Sequence, residues 1–144
     1  MRIYLDHAAS SPMLPCAYEA FCTQLSQAIG NPSATHTEGR QAKALVEQSR
    51  KEIANLLEVH PHEIVFTSCG TESNNMALMG AVRDLGVNVI LTTSIEHACV
   101  QNTLKAISLE YPNVHIAYID LEADGSINLE SLATLLAHQK ISQY

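Results

Sequence analysis

Apolar positions recur at helical spacing through the first part of the chain. Residues 15–28 predict a helix, because a proline occupies the first turn. Residues 30–33, Gly-Asn-Pro-Ser, predict a turn. Residues 37–57 predict a long amphipathic helix, since apolar side chains lie three or four positions apart. The apolar positions of that helix are Ala42, Leu45, Val46, Ile53, Leu56 and Leu57.

After residue 58 the pattern changes to short apolar segments that alternate with helices. The predicted strands are residues 64–67, 87–93 and 114–119, and the predicted helices are residues 71–84, 97–110 and 128–138. This alternation predicts βαβ units and a mostly parallel sheet flanked by helices. We therefore expect an N-terminal segment with two helices over 1–58 and an incomplete α/β domain over 59–144.

The last residues predict that the fold continues. A turn at Asp124-Gly125 precedes the last helix, and Ile141 is predicted to be the first residue of another strand. A sheet of three strands and one further residue would leave an edge open. The expectation is that the chain is the front part of something larger.

Composition restricts the class of protein. The 144 residues are 47% hydrophobic, enough for the core of one modest domain, and the net charge is −7. An acidic chain disfavours nucleic acids and anionic membranes as partners. A membrane-spanning helix needs about 18 or more consecutive apolar residues, and no such run is present. Asp6 interrupts the N-terminal segment where a signal peptide would be apolar, so we expect a cytoplasmic protein.

The four cysteines carry no metal-binding pattern. Cys16, Cys22, Cys69 and Cys99 form no CxxC pair and no finger-like set with histidines. We expect reduced thiols and no metal.

The segment 68–75, Ser-Cys-Gly-Thr-Glu-Ser-Asn-Asn, predicts an anion cradle. It follows a predicted strand and opens a helix, so free backbone N–H groups and the positive end of the helix dipole point at the same place. Gly70 adds no side chain to obstruct close approach, and Thr71 adds a hydroxyl donor. Glu96 and His97 follow the next predicted strand. Because ligands bind at the carboxyl ends of such strands, we expect both segments to face one site, and the chain is predicted to hold the phosphate of a cofactor.

Purely structural alternatives exist for both segments. Hydroxylated residues cap helices without any ligand, so 68–75 also fits an ordinary strand-to-helix turn. His97 taken alone fits a helix-start histidine that binds the backbone.

Four segments resemble motifs of the NifS/IscS-like cysteine desulfurases. Residues 4–12, YLDHAASSP, resemble YLDNAATTP, and residues 30–36, GNPSATH, resemble GNPSSxH. Residues 63–75, EIVFTSCGTESNN, resemble EIVFTSGGTESNN, and residues 93–97, TSIEH, resemble TSxIEH. The four motifs stand in the family's order and span nearly the whole chain. They are similar to class-V pyridoxal-phosphate enzymes of fold type I, a class that includes selenocysteine lyases.

This resemblance implies part of the large domain of a fold-type-I pyridoxal-phosphate-dependent transferase. It implies that Gly70 and Thr71 bind the phosphate of pyridoxal 5'-phosphate. It implies that His97 stacks on the pyridine ring and handles protons during turnover. Asn31 would lie near the substrate carboxylate, and His36 would shape that loop.

The resemblance also implies a reaction and partners. Family members convert L-cysteine to L-alanine and pass the sulfur to an enzyme cysteine as a persulfide, which feeds iron–sulfur clusters and thiolated tRNA. The expected partners are a second copy in a homodimer or a companion C-terminal half, and a sulfur-acceptor scaffold protein.

The chain departs from the family pattern at two positions. His7 stands where the family has asparagine, and Cys69 stands where it has glycine. A cysteine at position 69 would be strained if the backbone there needs a positive φ.

The family's Schiff-base lysine, the aspartate that pairs with the pyridinium nitrogen and the persulfide cysteine lie further along than residue 144. Lys43, Lys51, Lys105 and Lys140 stand in other contexts. We therefore expect that this chain alone does not catalyse desulfuration. Two alternatives are a non-catalytic remnant that binds another protein through its sheet edge and a selenocysteine lyase-like relative. A Rossmann-type nucleotide binder is disfavoured, because GxGxxG and Walker A sequences are absent.

Overall fold

A computed structural model describes residues 3–27 and 30–138 of the chain. The chain divides into two compact units, Met1–Val65 and Phe66–Tyr144. The division follows Val65, whereas the sequence pattern places it after residue 58. Within the described ranges, no helix is long and apolar enough to cross a membrane.

The first unit contains two helices and a short 3-10 turn. Helix α1 spans Pro15–Gln27 and buries none of its residues, and helix α2 spans Thr37–Leu57. The 3-10 turn, Pro61–Glu63, packs against α2. Helix α2 ends at Glu58, whose φ of 55° is left-handed and whose N–H bonds back to the last turn. Both predicted helices are confirmed, and residue 28 lies outside the described residues.

The predicted strand at 64–67 is wrong. These residues belong to neither of the two strands formed by the described part of the chain, although Ile64 has extended backbone angles. The guanidinium of Arg50 donates to the carbonyl of Ile64. Val65 and Phe66 are 63% and 47% exposed. An apolar run makes a segment compatible with a strand, but a ladder requires a neighbouring strand that supplies the hydrogen bonds.

The second unit contains a parallel pair of strands with helices. The elements are α3 (Gly70–Arg83), β1 (Val89–Thr92), α4 (Ala98–Glu110), β2 (His115–Tyr118) and α5 (Leu129–His138). Strands β1 and β2 pair in parallel, with Val89 opposite His115 and Thr92 opposite Tyr118. This confirms the predicted parallel α/β arrangement for two of the three expected strands. The predicted turn is present at Gly125, with φ 85°, while Ile141 lies outside the described residues.

The core of the second unit lies where α3 and α4 meet. Val82, Leu104 and Ile107 form its centre, and Leu104 and Ile107 are 2% and 0% exposed. Apolar side chains of both helices and both strands pack around it: Leu78, Met79, Ile90, Val100, Tyr111, Val114 and Ile116. Because these contacts hold α3 against α4, they fix the positions of the two helix N-termini relative to each other.

Candidate functional site

The N-terminus of α3 is closed by Glu72. The backbone N–H and the hydroxyl of Ser68 both donate to Oε2 of Glu72, at 2.6 and 2.7 Å. These bonds lower the pKa of the Glu72 carboxyl, with the Ser68 hydroxyl as the largest cause. The Oγ1 of Thr67 and the Oγ of Ser73 lie 2.8 Å apart and tie the same turn together. A carboxylate in the first helical turn also interacts favourably with the helix dipole.

Gly70 is the first residue of α3, and the space beside it is open. Apart from its chain neighbours and the backbone of its own helix, a Cβ atom built there would have no atom within 4 Å, and the backbone does not have a positive φ. This glycine is therefore not required for a left-handed turn, and the space beside it is not filled by another side chain. Helix-start N–H groups, the Thr71 hydroxyl and this open space are the donors and the room that a phosphate group requires. The residues present fit the phosphate of pyridoxal 5'-phosphate.

Cys69 caps α3 without backbone strain. Its φ of −167° and ψ of 170° are extended, so a cysteine fits where the family has glycine. The exposed thiol has a lowered pKa, caused first by the backbone N–H of Glu72, then by the Ser68 hydroxyl and the backbone of Thr71. Position 69 therefore carries a polarised thiol beside the predicted phosphate donors.

His97 is the N-cap residue of α4. Its Nδ1 accepts the backbone N–H of Cys99 at 3.2 Å and lies 3.1 Å from Sγ of Cys99. The backbone contact of the purely structural alternative is thus present. It uses one ring nitrogen only, and among the described residues Nε2 has no hydrogen-bond partner. The exposed ring therefore keeps one nitrogen available for a ligand.

A cavity of about 380 Å³ lies between α3 and α4. Thr71 and Cys99 both line it, so the predicted phosphate-binding residue and the contact partner of His97 share one space. The other lining residues are Asn75, Met79, Asn102, Thr103 and Ala106.

Two side-chain contacts join α3 to α4 beside this cavity. The amide of Asn74 donates to Sγ of Cys99 at 3.2 Å, and the hydroxyl of Thr103 donates to Oδ1 of Asn75. Sequence reasoning did not assign these roles. The only available signal was the pair of asparagines inside TESNN, because their partners stand 25 and 28 residues away.

Asn31 belongs to the first unit, in a tight loop before α2. Its Oδ1 accepts the N–H of Ser33 and its carbonyl accepts the N–H of Ala34, both at 2.9 Å. A Cβ on Gly30 would collide with the backbone of Glu38, so only glycine fits there. These contacts hold the Asn31 side chain within its own loop.

His36 is the N-cap residue of α2 in the same unit. Its Nδ1 lies 3.3 Å from the N–H of Gly39 and 3.0 Å from Oε2 of Glu38. That nitrogen accepts from Gly39 when unprotonated and donates to Glu38 when protonated. His36 therefore caps α2 through its own ring nitrogen. Asn31 and His36 both belong to the first unit, whereas Gly70, Thr71 and His97 belong to the second.

The described residues contain no candidate metal centre. Within residues 3–27 and 30–138, no group of three or more histidine, cysteine, aspartate or glutamate side chains is arranged to hold a metal ion.

The fold and the two helix N-termini define a known class. The class-V aminotransferase family matches residues 3–141, and the chain belongs to that family, whose members depend on pyridoxal phosphate. Its solved structural relatives are NifS-like proteins of fold type I, and the chain is the corresponding α/β portion.

Within the family, the similar proteins are cysteine desulfurases. The IscS-like cysteine desulfurase of Mycobacterium tuberculosis is 39% identical over 138 residues, covering 92% of this chain and 35% of the relative. The mitochondrial cysteine desulfurase of Drosophila melanogaster is 38% identical over 133 residues, covering 90% and 28%. A solved NifS-like protein superposes with a TM-score of 0.81 at 33% identity, covering 94% of this chain and 37% of that protein. The chain thus corresponds to about a third of its relatives' length.

Proposed function

We propose that the chain is the N-terminal part of a pyridoxal-phosphate-dependent cysteine desulfurase that converts L-cysteine to L-alanine and transfers the sulfur as a persulfide. The observation that carries the proposal is the cavity between α3 and α4. Thr71 and Cys99 both line this cavity, and Cys99 contacts His97. Pyridoxal phosphate, when bound, supplies an electron sink for the substrate's bonding electrons.

Each residue has a separate task in this proposal. The N–H groups of Gly70 and Thr71 and the Thr71 hydroxyl hold the phosphate at the start of α3. The His97 ring lies against the cofactor ring and holds a proton on Nε2. Asn31 binds near the substrate carboxylate, and His36 keeps its loop in shape, as the resemblance implies. One solved relative is SspA in complex with cysteine, at 35% identity and a TM-score of 0.72.

The chain alone is proposed to be inactive. Lys43 and Lys51 lie within α2 and Lys105 lies within α4, so none of the three follows a strand along the chain, while Lys140 lies outside the described residues. None occupies the context of the family's Schiff-base lysine. A second polypeptide or a further part of the protein would supply that lysine, and a homodimer and a sulfur-acceptor protein complete the proposed assembly.

A chimera tests the proposal. In this chimera the chain replaces the matching N-terminal part of the Mycobacterium tuberculosis relative. Two quantities are measured: the release of sulfide from L-cysteine, and the absorbance of the bound cofactor. We expect sulfide release from the chimera and none from the 144-residue chain. The matched chimera with His97→Ala should retain the cofactor but lose most of the activity. A folded, cofactor-loaded chimera without sulfide release would contradict the proposal.

A second candidate function rests on the open sheet. Within the described residues the sheet has only two strands, so each strand has an unpaired edge. A non-catalytic remnant that binds a protein through such an edge would not bind pyridoxal phosphate. A selenocysteine lyase-like activity would instead be shown by preferential turnover of L-selenocysteine in the same chimera.

A further inference from the structure

The sulfur of Cys99 lies between two polar side chains. Nδ2 of Asn74, on α3, is 3.2 Å from Sγ, and Nδ1 of His97, at the start of α4, is 3.1 Å from it. The thiol is half-buried, whereas the His97 ring is exposed. The sulfur of Cys99 thus contacts both the Asn74 amide on α3 and the His97 imidazole at the start of α4.

The hydrogen positions in this chain of contacts follow from the chemistry of the groups. The Asn74 amide nitrogen can only donate, so Sγ accepts from it. The backbone N–H of Cys99 donates to Nδ1 of His97, so Nδ1 presents its lone pair. With Nδ1 unprotonated, the thiol hydrogen can point from Sγ to Nδ1, where it shares the lone pair with the backbone N–H. In the neutral imidazole the remaining proton then sits on Nε2.

We propose that Asn74 and Cys99 are positioning residues that fix the tautomer of His97. In this tautomer Nδ1 accepts from Cys99 at the start of α4, and Nε2 carries the hydrogen and acts as a donor. This inference rests on the proposed function, because it matters only if His97 faces the cofactor.

The consequence is a restricted role for His97. A neutral ring with hydrogen on Nε2 donates toward the cofactor and substrate and cannot accept a proton there. Accepting a proton on Nδ1 would break the cap and place a cation at the N-terminus of α4, where the helix dipole opposes it. The arrangement favours holding and donating a hydrogen bond over acting as the resting base.

Nuclear magnetic resonance on the 144-residue chain tests the tautomer without any cofactor. The chain is labelled with ¹⁵N-histidine, and the side-chain nitrogen shifts are read at a pH where imidazoles are neutral. The His97→Asn variant identifies the signal of His97 among the seven histidines. We expect His97 to be predominantly in the Nε2–H form. A predominant Nδ1–H form would overturn the proposal.

Substitutions separate positioning from general packing. Cys99→Ala removes the thiol donor and should raise the Nδ1–H population about three- to tenfold, the range that losing one ordinary hydrogen bond gives. Cys99→Ser keeps a donor and should restore the wild-type population. Asn74→Ala should also raise the Nδ1–H population of His97, but by less than Cys99→Ala does. Asn102→Ala, in the same cavity lining, is the matched control and should change nothing.

The outcomes distinguish this inference from the proposed function. If Cys99→Ala and Asn74→Ala both leave the tautomer unchanged, the positioning role fails, whatever the chimera does. If the tautomer responds as expected but the chimera binds cofactor without releasing sulfide, the positioning role stands and the proposed function fails.

Discussion

Ser68 and Glu72 are joined by two hydrogen bonds at the N-terminus of α3. The N–H and the hydroxyl of Ser68 both donate to one carboxylate oxygen of Glu72. The pair ties the residue before the cap to the first turn of the helix, beside the open space at Gly70.

The Glu72 carboxylate should make stability depend on pH. Its pKa is lowered from 4.5 by the Ser68 bonds, so folding favours the charged form. The stabilisation is therefore present above the ordinary carboxyl pKa and is lost as the pH falls through the lowered value. We expect Glu72→Gln to lower the melting temperature at neutral pH. The melting temperature of the variant should also fall less than that of the wild type on acidification, as measured by circular dichroism.

Glu122→Gln is the matched control for that experiment, because the Glu122 side chain has no hydrogen-bond partner within the described residues. An acid profile of Glu72→Gln that parallels the wild type would show that this carboxylate does not contribute.

The Cys69 thiol should react faster than the thiols of α1. Its pKa is lowered chiefly by the backbone N–H of Glu72, so a larger fraction is thiolate at neutral pH. Cys16 and Cys22 are also exposed and serve as internal standards. We expect iodoacetamide to label Cys69 first, as followed by peptide mass spectrometry. Ser68→Ala should slow that labelling, and equal rates at all three sites would contradict the assignment.

Thr71 should contribute to cofactor affinity through its hydroxyl. A hydrogen bond to a charged group contributes about 1.5–3 kcal/mol, so Thr71→Val should weaken pyridoxal-phosphate binding about tenfold or more. Thr71→Ser keeps the hydroxyl and should remain close to wild type. Fluorescence titration of the chain with pyridoxal phosphate measures both, and equal affinities for the valine and serine variants would remove Thr71 from the phosphate site.

Two helical glycines should respond oppositely to alanine. A Cβ on the buried Gly39 would lie 2.8 Å from Ala34 Cβ and 2.8 Å from the carbonyl oxygen of Asn31, so Gly39→Ala should destabilise the loop. A Cβ on Gly80 would meet only Asp84 Oδ2 at 3.7 Å, so Gly80→Ala should stabilise α3 by about 0.5–1 kcal/mol. Denaturant unfolding of both variants measures the difference.

A stabilising effect of Gly39→Ala would mean that the loop containing Asn31 does not press against α2. The role proposed for Asn31, near a substrate carboxylate, would then lose its structural support.

Much of this protein follows from local sequence. Helix α2 begins and ends at the predicted residues, because a cap, an apolar spacing of three and four, and a left-handed end at Glu58 are encoded within a few positions. The proposal that Gly70 and Thr71 donate to a phosphate also rests on local sequence, since a helix start exposes its N–H groups in any fold. The four motifs then identify the family without any knowledge of contacts.

Tertiary structure decided what depends on distant partners. Residues 64–67 carry a strand-like pattern but form no strand, since pairing needs a neighbour that no local pattern supplies. The extended backbone at Cys69, which removes the expected strain, depends on how the turn into α3 is built. The tautomer of His97 depends on Asn74 through Cys99, a contact across 25 residues. Helix starts are local because their hydrogen bonds are local, whereas the orientation of a side chain in a site depends on which helices the core packs together.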